Sequence, residues 1–204
     1  MSQLALPLQL ADHAVFASFL NRGNEALVAT LNAIAVGDNV HGCWLWGGPA
    51  SGKTHLLQAV CDVAGDRAVY LPLSLLAPAG AEVLDGLANR DVICVDDIHT
   101  VAGDPAWEIA LFNLYNQVLD AGAQLIISAE SAPHELQFGL PDLQSRLARL
   151  PVFQLHGLDE DARLKALQLR SRHRGLELPV DTAKYLLKRS RRDMASLYQL
   201  LDKL

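Results

Sequence analysis

The chain has 204 residues, half of them apolar and a fifth charged, with a net charge of −6; that is enough for one substantial core and a small second lobe. No apolar run approaches the ~18 residues of a membrane span, residues 2–10 lack the basic leader of a secretory signal, and Cys43, Cys61 and Cys94 have no metal-type spacing, so a cytoplasmic protein with buried thiols is expected. Asp159 to Leu204 carries eleven Lys/Arg against seven Asp/Glu and the preceding part six against sixteen, a balance that argues against a free-standing duplex-DNA binder.

Residues 1–12 hold a Leu/Pro/Gln cluster with neither helical nor alternating period and are expected to form an extended arm. A helix is predicted from Asn24 to Ala35, with Leu27, Leu31 and Ile34 on one face. Short apolar runs then alternate with helical stretches. Strands are predicted at Cys43–Trp46, Ala68–Leu73, Val92–Val95, Gln124–Ser128 and Val152–Leu155, and helices at Thr54–Ala64, Trp107–Leu119 and Asp142–Leu150. Strands alternating with helices imply a parallel sheet covered on both faces. After Gly157 only helical patterns remain. Asp159-Glu160-Asp161 opens one helix and Gly175 closes it, Pro179 opens a second, and Met194, Leu197, Leu200, Leu201 and Leu204 mark a third. No stop signal precedes Leu204, so a truncated lobe is expected. The predicted organisation is an arm over 1–12, an αβα domain with a five-stranded parallel sheet over 13–157, and a small helical lid over 158–204.

The segment Gly47-Gly48-Pro49-Ala50-Ser51-Gly52-Lys53-Thr54 fits G-x-x-x-x-G-K-[ST] in full, between a predicted strand and a predicted helix. Glycines at this spacing let backbone N–H groups turn inward around phosphates at a helix N-terminus. Lys53 is placed to reach the β-phosphate of ADP or the β- and γ-phosphates of ATP, and Thr54 to ligate Mg²⁺, with His55 next in line. Asp96-Asp97 follows the apolar run Val92-Ile93-Cys94-Val95. Asp96 is the expected second Mg²⁺ ligand, and Asp97 is placed to orient or deprotonate an attacking water. Ser128 and Glu130 end the strand Gln124–Ser128, where they either sense the γ-phosphate or water or simply close the strand. His99 reads as a loop polar group, and no nucleophile–His–acid arrangement can be assembled.

The strings Gly47 to Leu57, reading GGPASGKTHLL, and Val95-Asp96-Asp97-Ile98 resemble the AAA+ family in its DnaA branch, over roughly Phe16 to Leu204. Ala102-Gly103-Asp104, Trp107-Glu108, Phe112-Asn113-Leu114-Tyr115-Asn116 and Gly139 to Leu147 are more similar to the Hda family of regulators than to DnaA itself. The resemblance implies a nucleotide-binding αβα domain with a helical lid. It also implies an arginine finger at Arg146, within Ser145-Arg146-Leu147, acting in trans on ATP held by DnaA. Arg149 is a second candidate. Gln3-Leu4-Ala5-Leu6-Pro7-Leu8 resembles the peptide with which bacterial proteins dock on the DNA polymerase III beta sliding clamp. Gln3 would be the polar anchor and Leu4, Leu6 and Leu8 the apolar contacts, with Pro7 limiting the free arm's conformations.

DNA would then be met mainly through the clamp, and homo-oligomers are left open. Ala195 stands where the family usually has a lid arginine that senses nucleotide, although Arg191 and Arg192 lie one turn earlier. The resemblance implies regulatory inactivation of DnaA, with the ADP form active and little or no turnover by the chain itself. The intact Lys53, Asp96 and Asp97 keep a helicase-loader-type ATPase open as an alternative, and a P-loop phosphotransferase as a weaker one.

Overall fold

The computed structural model describes residues 14–38, 42–189 and 197–198. Five parallel strands, β1 Cys43–Trp46, β2 Ala68–Pro72, β3 Val92–Asp96, β4 Gln124–Ala129 and β5 Val152–Gln154, form one sheet in the order β2-β3-β4-β1-β5. The helices are α1 Glu25–Val36, α2 Lys53–Ala64, the single turn α3 Leu73–Leu76, α4 Pro105–Ala121, α5 Pro141–Leu147, α6 Glu160–His173 and α7 Val180–Arg189. The fold is therefore the expected αβα arrangement, and each of the five predicted strands is present within two residues of its predicted ends.

Alternation along the strands builds two cores, because successive side chains leave opposite faces. Cys43 and Leu45 of β1, Val92 and Cys94 of β3 and Ile126 of β4 pack with Leu27, Leu31 and Ile34 of α1 and Leu56, Leu57 and Val60 of α2. Trp44, Ile93, Val95, Leu125 and Ile127 face the other way and join Trp107, Leu111 and Leu114 of α4 and Leu143 and Leu147 of α5. All three cysteines are buried free thiols in the first of these cores. Burial pushes the Cys43 thiol up to about 12, which leaves it a small apolar filler.

Local signals set the helix ends. Gly37, at φ 95, closes α1 with N–H bonds to Ala33 and Ile34 carbonyls. Asp104 caps α4 by accepting the N–H groups of Ala106 at 2.9 Å and Trp107 at 3.3 Å, and Pro105 occupies the first helical position. The helix thus starts two residues ahead of the expected Trp107. The stretch between β2 and β3, left without elements by periodicity, is α3 followed by three short 3₁₀ turns at 77–79, 81–84 and 87–89. Helix α5 ends at Leu147 rather than Leu150. Asp159 caps α6 through the Ala162 N–H at 2.7 Å.

A third, small core joins Ala166 and Leu167 of α6, Ala183 of α7 and Leu197. The rest of the expected last helix, with Arg191, Arg192, Met194 and Ala195, lies outside the described residues, as does the arm with Gln3, Leu4, Leu6, Pro7 and Leu8. Among the described residues no helix is long and apolar enough to cross a membrane.

Candidate nucleotide site

The loop from Gly47 to Gly52 leaves the carboxyl end of β1 and enters α2. Ala50 at φ 55 and Gly52 at φ 104 alternate with ordinary residues, the backbone pattern that turns successive N–H groups to one side. A side chain at Gly52 would be strained by that angle, and its Cβ would lie 2.8 Å from the Phe19 ring.

Lys53 is only 7 % exposed. Its ammonium donates to the carbonyls of Gly47 at 2.8 Å and Gly48 at 3.1 Å, and among the described residues no carboxylate reaches it within 4.0 Å. A buried cation whose hydrogen bonds go to neutral carbonyls, with Asp97 the nearby carboxylate that feels it, is left only partly compensated. In the same loop the Ser51 hydroxyl is buried, with no partner among the described residues. A dehydrated cation and an unpaired hydroxyl at the amino end of a twelve-residue helix suit an anion, and a di- or triphosphate fits this set.

Asp96 ends β3 at 1 % exposure. Its Oδ2 accepts the hydroxyls of Thr54 at 2.8 Å and Tyr70 at 2.7 Å, and its Oδ1 accepts the hydroxyl of Ser128. The strand register explains the gathering, since Pro72, one residue after Leu71 and two after Tyr70, lies opposite Asp96, and Val95 lies opposite Ile127. Burial, and then the Asp96 charge, hold the Tyr70 phenol protonated. The Thr54 hydroxyl and Asp96 carboxylate are hard oxygen donors in contact with each other beside the phosphate loop, a donor set that suits Mg²⁺ sharing its remaining positions with water and phosphate. Among the described residues no group of three His, Cys, Asp or Glu forms an all-protein metal cage.

Asp97 adopts the left-handed region at φ 59 and ψ 45, a conformation rarely taken by a residue with a side chain. Its N–H donates to the Ser128 hydroxyl at 3.0 Å. Burial, and then the Asp96 charge, raise its pKa, and the nearby His99 and Lys53 oppose the rise. A carboxylate made more basic in this way is a better proton acceptor.

Ser128 is fully buried, and its single proton goes to Asp96 while its oxygen takes the Asp97 N–H. Through these two bonds Ser128 ties β4 to the Asp96-Asp97 turn. Glu130 is exposed, with Oε1 3.9 Å from His99 Nε2. His55, grouped with the loop by sequence, points elsewhere. Its Nε2–H donates to the Val15 carbonyl at 2.9 Å, and its ring centroid lies 5.4 Å from that of Phe19. Burial depresses its pKa to about 4.

Arg146 does not join this cluster. It is half-buried on α5, with its guanidinium carbon 5.8 Å from the Phe112 ring centroid and 5.9 Å from that of Tyr115, both on α4. Among the described residues it has no carboxylate within 4.0 Å. Arg149 is exposed. Tyr70, whose partner lies 26 positions away, escaped sequence reasoning because an aromatic residue in a strand carries no sign of what its hydroxyl meets.

Two family models match the chain: "Hda, lid domain" over residues 159–204 and "Bacterial DnaA ATPAse domain" over residues 74–150. Domain III of the Thermotoga maritima replication initiation protein DnaA superposes with a TM-score of 0.77 at 22 % identity, covering 93 % of this chain and 86 % of that one. AMPPCP-bound DnaA from Aquifex aeolicus gives 0.71 at 22 % identity over 94 % of this chain and 65 % of that one. The Thermotoga maritima RuvB Holliday junction branch migration motor gives 0.67 at 20 % identity over 95 % and 64 %. At these identities the three structures speak for the fold.

Proposed function

Because this chain is an Hda-like, DnaA-homologous member of the AAA+ family, we propose that it is a regulatory inactivator of the replication initiator DnaA, which it drives from its ATP to its ADP form. The observation that carries this reading is the state of Arg146: a charged planar fork, held on two aromatic rings with no carboxylate partner among the described residues. Its donors remain available for an anion outside the chain. The matched lid model supports the regulator over the initiator.

In this mechanism the chain holds its own adenine nucleotide, with Lys53 and the N–H groups of the Gly47–Thr54 loop around the phosphates. Mg²⁺ would be held by Thr54 and Asp96 and, when bound, supplies charge neutralisation at the phosphates. Tyr70 and Ser128 keep the Asp96 carboxylate in place, and Asp97 is the acceptor poised for a water, which gives at most slow turnover. The nucleotide is chiefly a structural ligand, and the ADP form is the active one. The arm, through Gln3, Leu4, Leu6, Pro7 and Leu8, docks on the DNA polymerase III beta sliding clamp loaded on DNA.

Arg146 then enters the site of ATP-bound DnaA and stabilises the charge that develops on the transferred phosphoryl group, a contribution of about 10³–10⁵ in rate for fingers of this kind. The test is hydrolysis of ATP prebound to DnaA, with loaded clamp and either wild type or Arg146→Ala. Wild type should convert DnaA to its ADP form and the variant should not. Equal rates would remove the proposal.

A further inference from the structure

We infer that Glu108 is the positioning residue for Arg146, an inference that rests on the finger reading above. Glu108 lies in the first turn of α4 and is 2 % exposed, and among the described residues no cation reaches it within 4.0 Å. A carboxylate so deeply buried is retained only if its oxygens are satisfied. Oε1 accepts the N–H groups of Gly103 at 2.8 Å and Gly139 at 2.9 Å, and Oε2 accepts that of Leu140 at 2.7 Å.

Gly103 precedes α4, whereas Gly139 and Leu140 are the two residues that lead into α5. Leu140 is the N-cap of α5 and has no side chain able to cap it. The helix that carries Arg146 is therefore fastened at its entry by a carboxylate from another helix. Positions 108, 112 and 115 fall on one face of α4 at helical spacing. The first grips the approach to α5, and the other two carry the Arg146 guanidinium at 5.8 and 5.9 Å. Because α5 has only seven residues, a shift at its entry is carried directly to Arg146. A misplacement of ~1 Å at a catalytic group costs about 10²-fold in rate.

The test uses the full chain with loaded clamp and ATP-bound DnaA. Glu108→Gln keeps the shape and one acceptor oxygen but turns an amide donor toward a backbone N–H. Amide hydrogen exchange should become at least about tenfold faster at Gly139 and Leu140 and from Gln144 through Leu147, with β3 and β4 unchanged. The maximal rate of hydrolysis on DnaA should fall about 10- to 100-fold at an unchanged half-saturating concentration and unchanged nucleotide affinity of the chain itself. Glu108→Gln with Arg146→Ala should be no slower than Arg146→Ala alone, because the two act through one group.

If Glu108→Gln does not fold, Glu108→Asp, one methylene shorter, replaces it with the same expectations. Unchanged exchange in α5, or loosened α5 with an unchanged maximal rate, overturns the inference, as does an additive double variant. Failure of the finger reading is recognised separately, by an Arg146→Ala protein as active as wild type.

Discussion

Ser128→Ala removes a hydroxyl that sits between the two acidic residues of the site. Its proton goes to Asp96, which is 1 % exposed, and a hydrogen bond to a charged group contributes about 1.5–3 kcal/mol. Its oxygen takes the Asp97 N–H at 3.0 Å, and leaving that donor unpaired costs about 1–3 kcal/mol more. Part of this is offset, because Asp97 at φ 59 is strained by about 1 kcal/mol or more and is released to relax. Asp96 also keeps the hydroxyls of Thr54 and Tyr70. The net expectation is a loss of about 2–4 kcal/mol in the nucleotide-free protein, equivalent to roughly 5–15 °C in melting temperature for a chain of this size. The assay is thermal and urea unfolding without nucleotide, followed by ADP and ATP titrations on the same samples. A melting temperature within about 2 °C of wild type, together with lost discrimination between ATP and ADP, would refute the argument: the hydroxyl would then read the phosphates instead of holding Asp96.

Lys53→Ala should abolish tight nucleotide binding, because no other side chain in the loop is cationic; ADP calorimetry checks it, and wild-type affinity would contradict the phosphate site. Gln3→Ala with Leu6→Ala should remove clamp capture at unchanged ADP affinity, as read by pull-down on the loaded clamp. Arg146→Lys should recover little of the hydrolysis on DnaA, since an ammonium lacks the paired donors of the fork; full recovery would reduce Arg146 to a point charge. The depressed His55 pKa means that the unfolded chain binds a proton first as pH falls, so stability is complete above about 6.5 and is lost toward about 4. At about 1.4 kcal/mol per pH unit the loss is up to about 3 kcal/mol, and His55→Gln should flatten this part of the stability profile.

The residues that sequence made visible are those whose meaning is local. The Gly47–Thr54 loop is one contiguous string, and Asp96-Asp97 follows an all-apolar strand, so both could be placed before any contact was known. The five strands were visible because the chain alternates between short apolar runs and helical periods. Helix α4 was started late because apolar periodicity begins at Trp107, although Asp104 and Pro105 are themselves a start signal. Ser128 and Tyr70 gained their roles from strand register, which brings together positions 26 and 32 residues from Asp96. Glu108 resembles any charge on a surface helix until the loop of Gly139 and Leu140 is folded over it. His55, adjacent to the loop in sequence, turns away because one helical step carries its ring to Val15 and Phe19.

The strand order has a consequence for synthesis. β1, which feeds the phosphate loop, lies between β4 and β5, so Cys43 finds its ladder partner only at Ile126 and Trp44 meets Val152 later still. At ribosomal rates of about 5–20 residues per second, the interval between β1 and β4 leaving the exit tunnel is roughly 4–16 s. Throughout that time the loop strand has no neighbour on either edge, and Trp44, on the face that α4 and α5 later close, awaits cover. Pairings so distant in sequence also place the loop-closure cost early, which slows folding relative to local topologies. Nascent chains stalled before β4 should therefore hold no nucleotide, although the whole Gly47–Thr54 string has already been made.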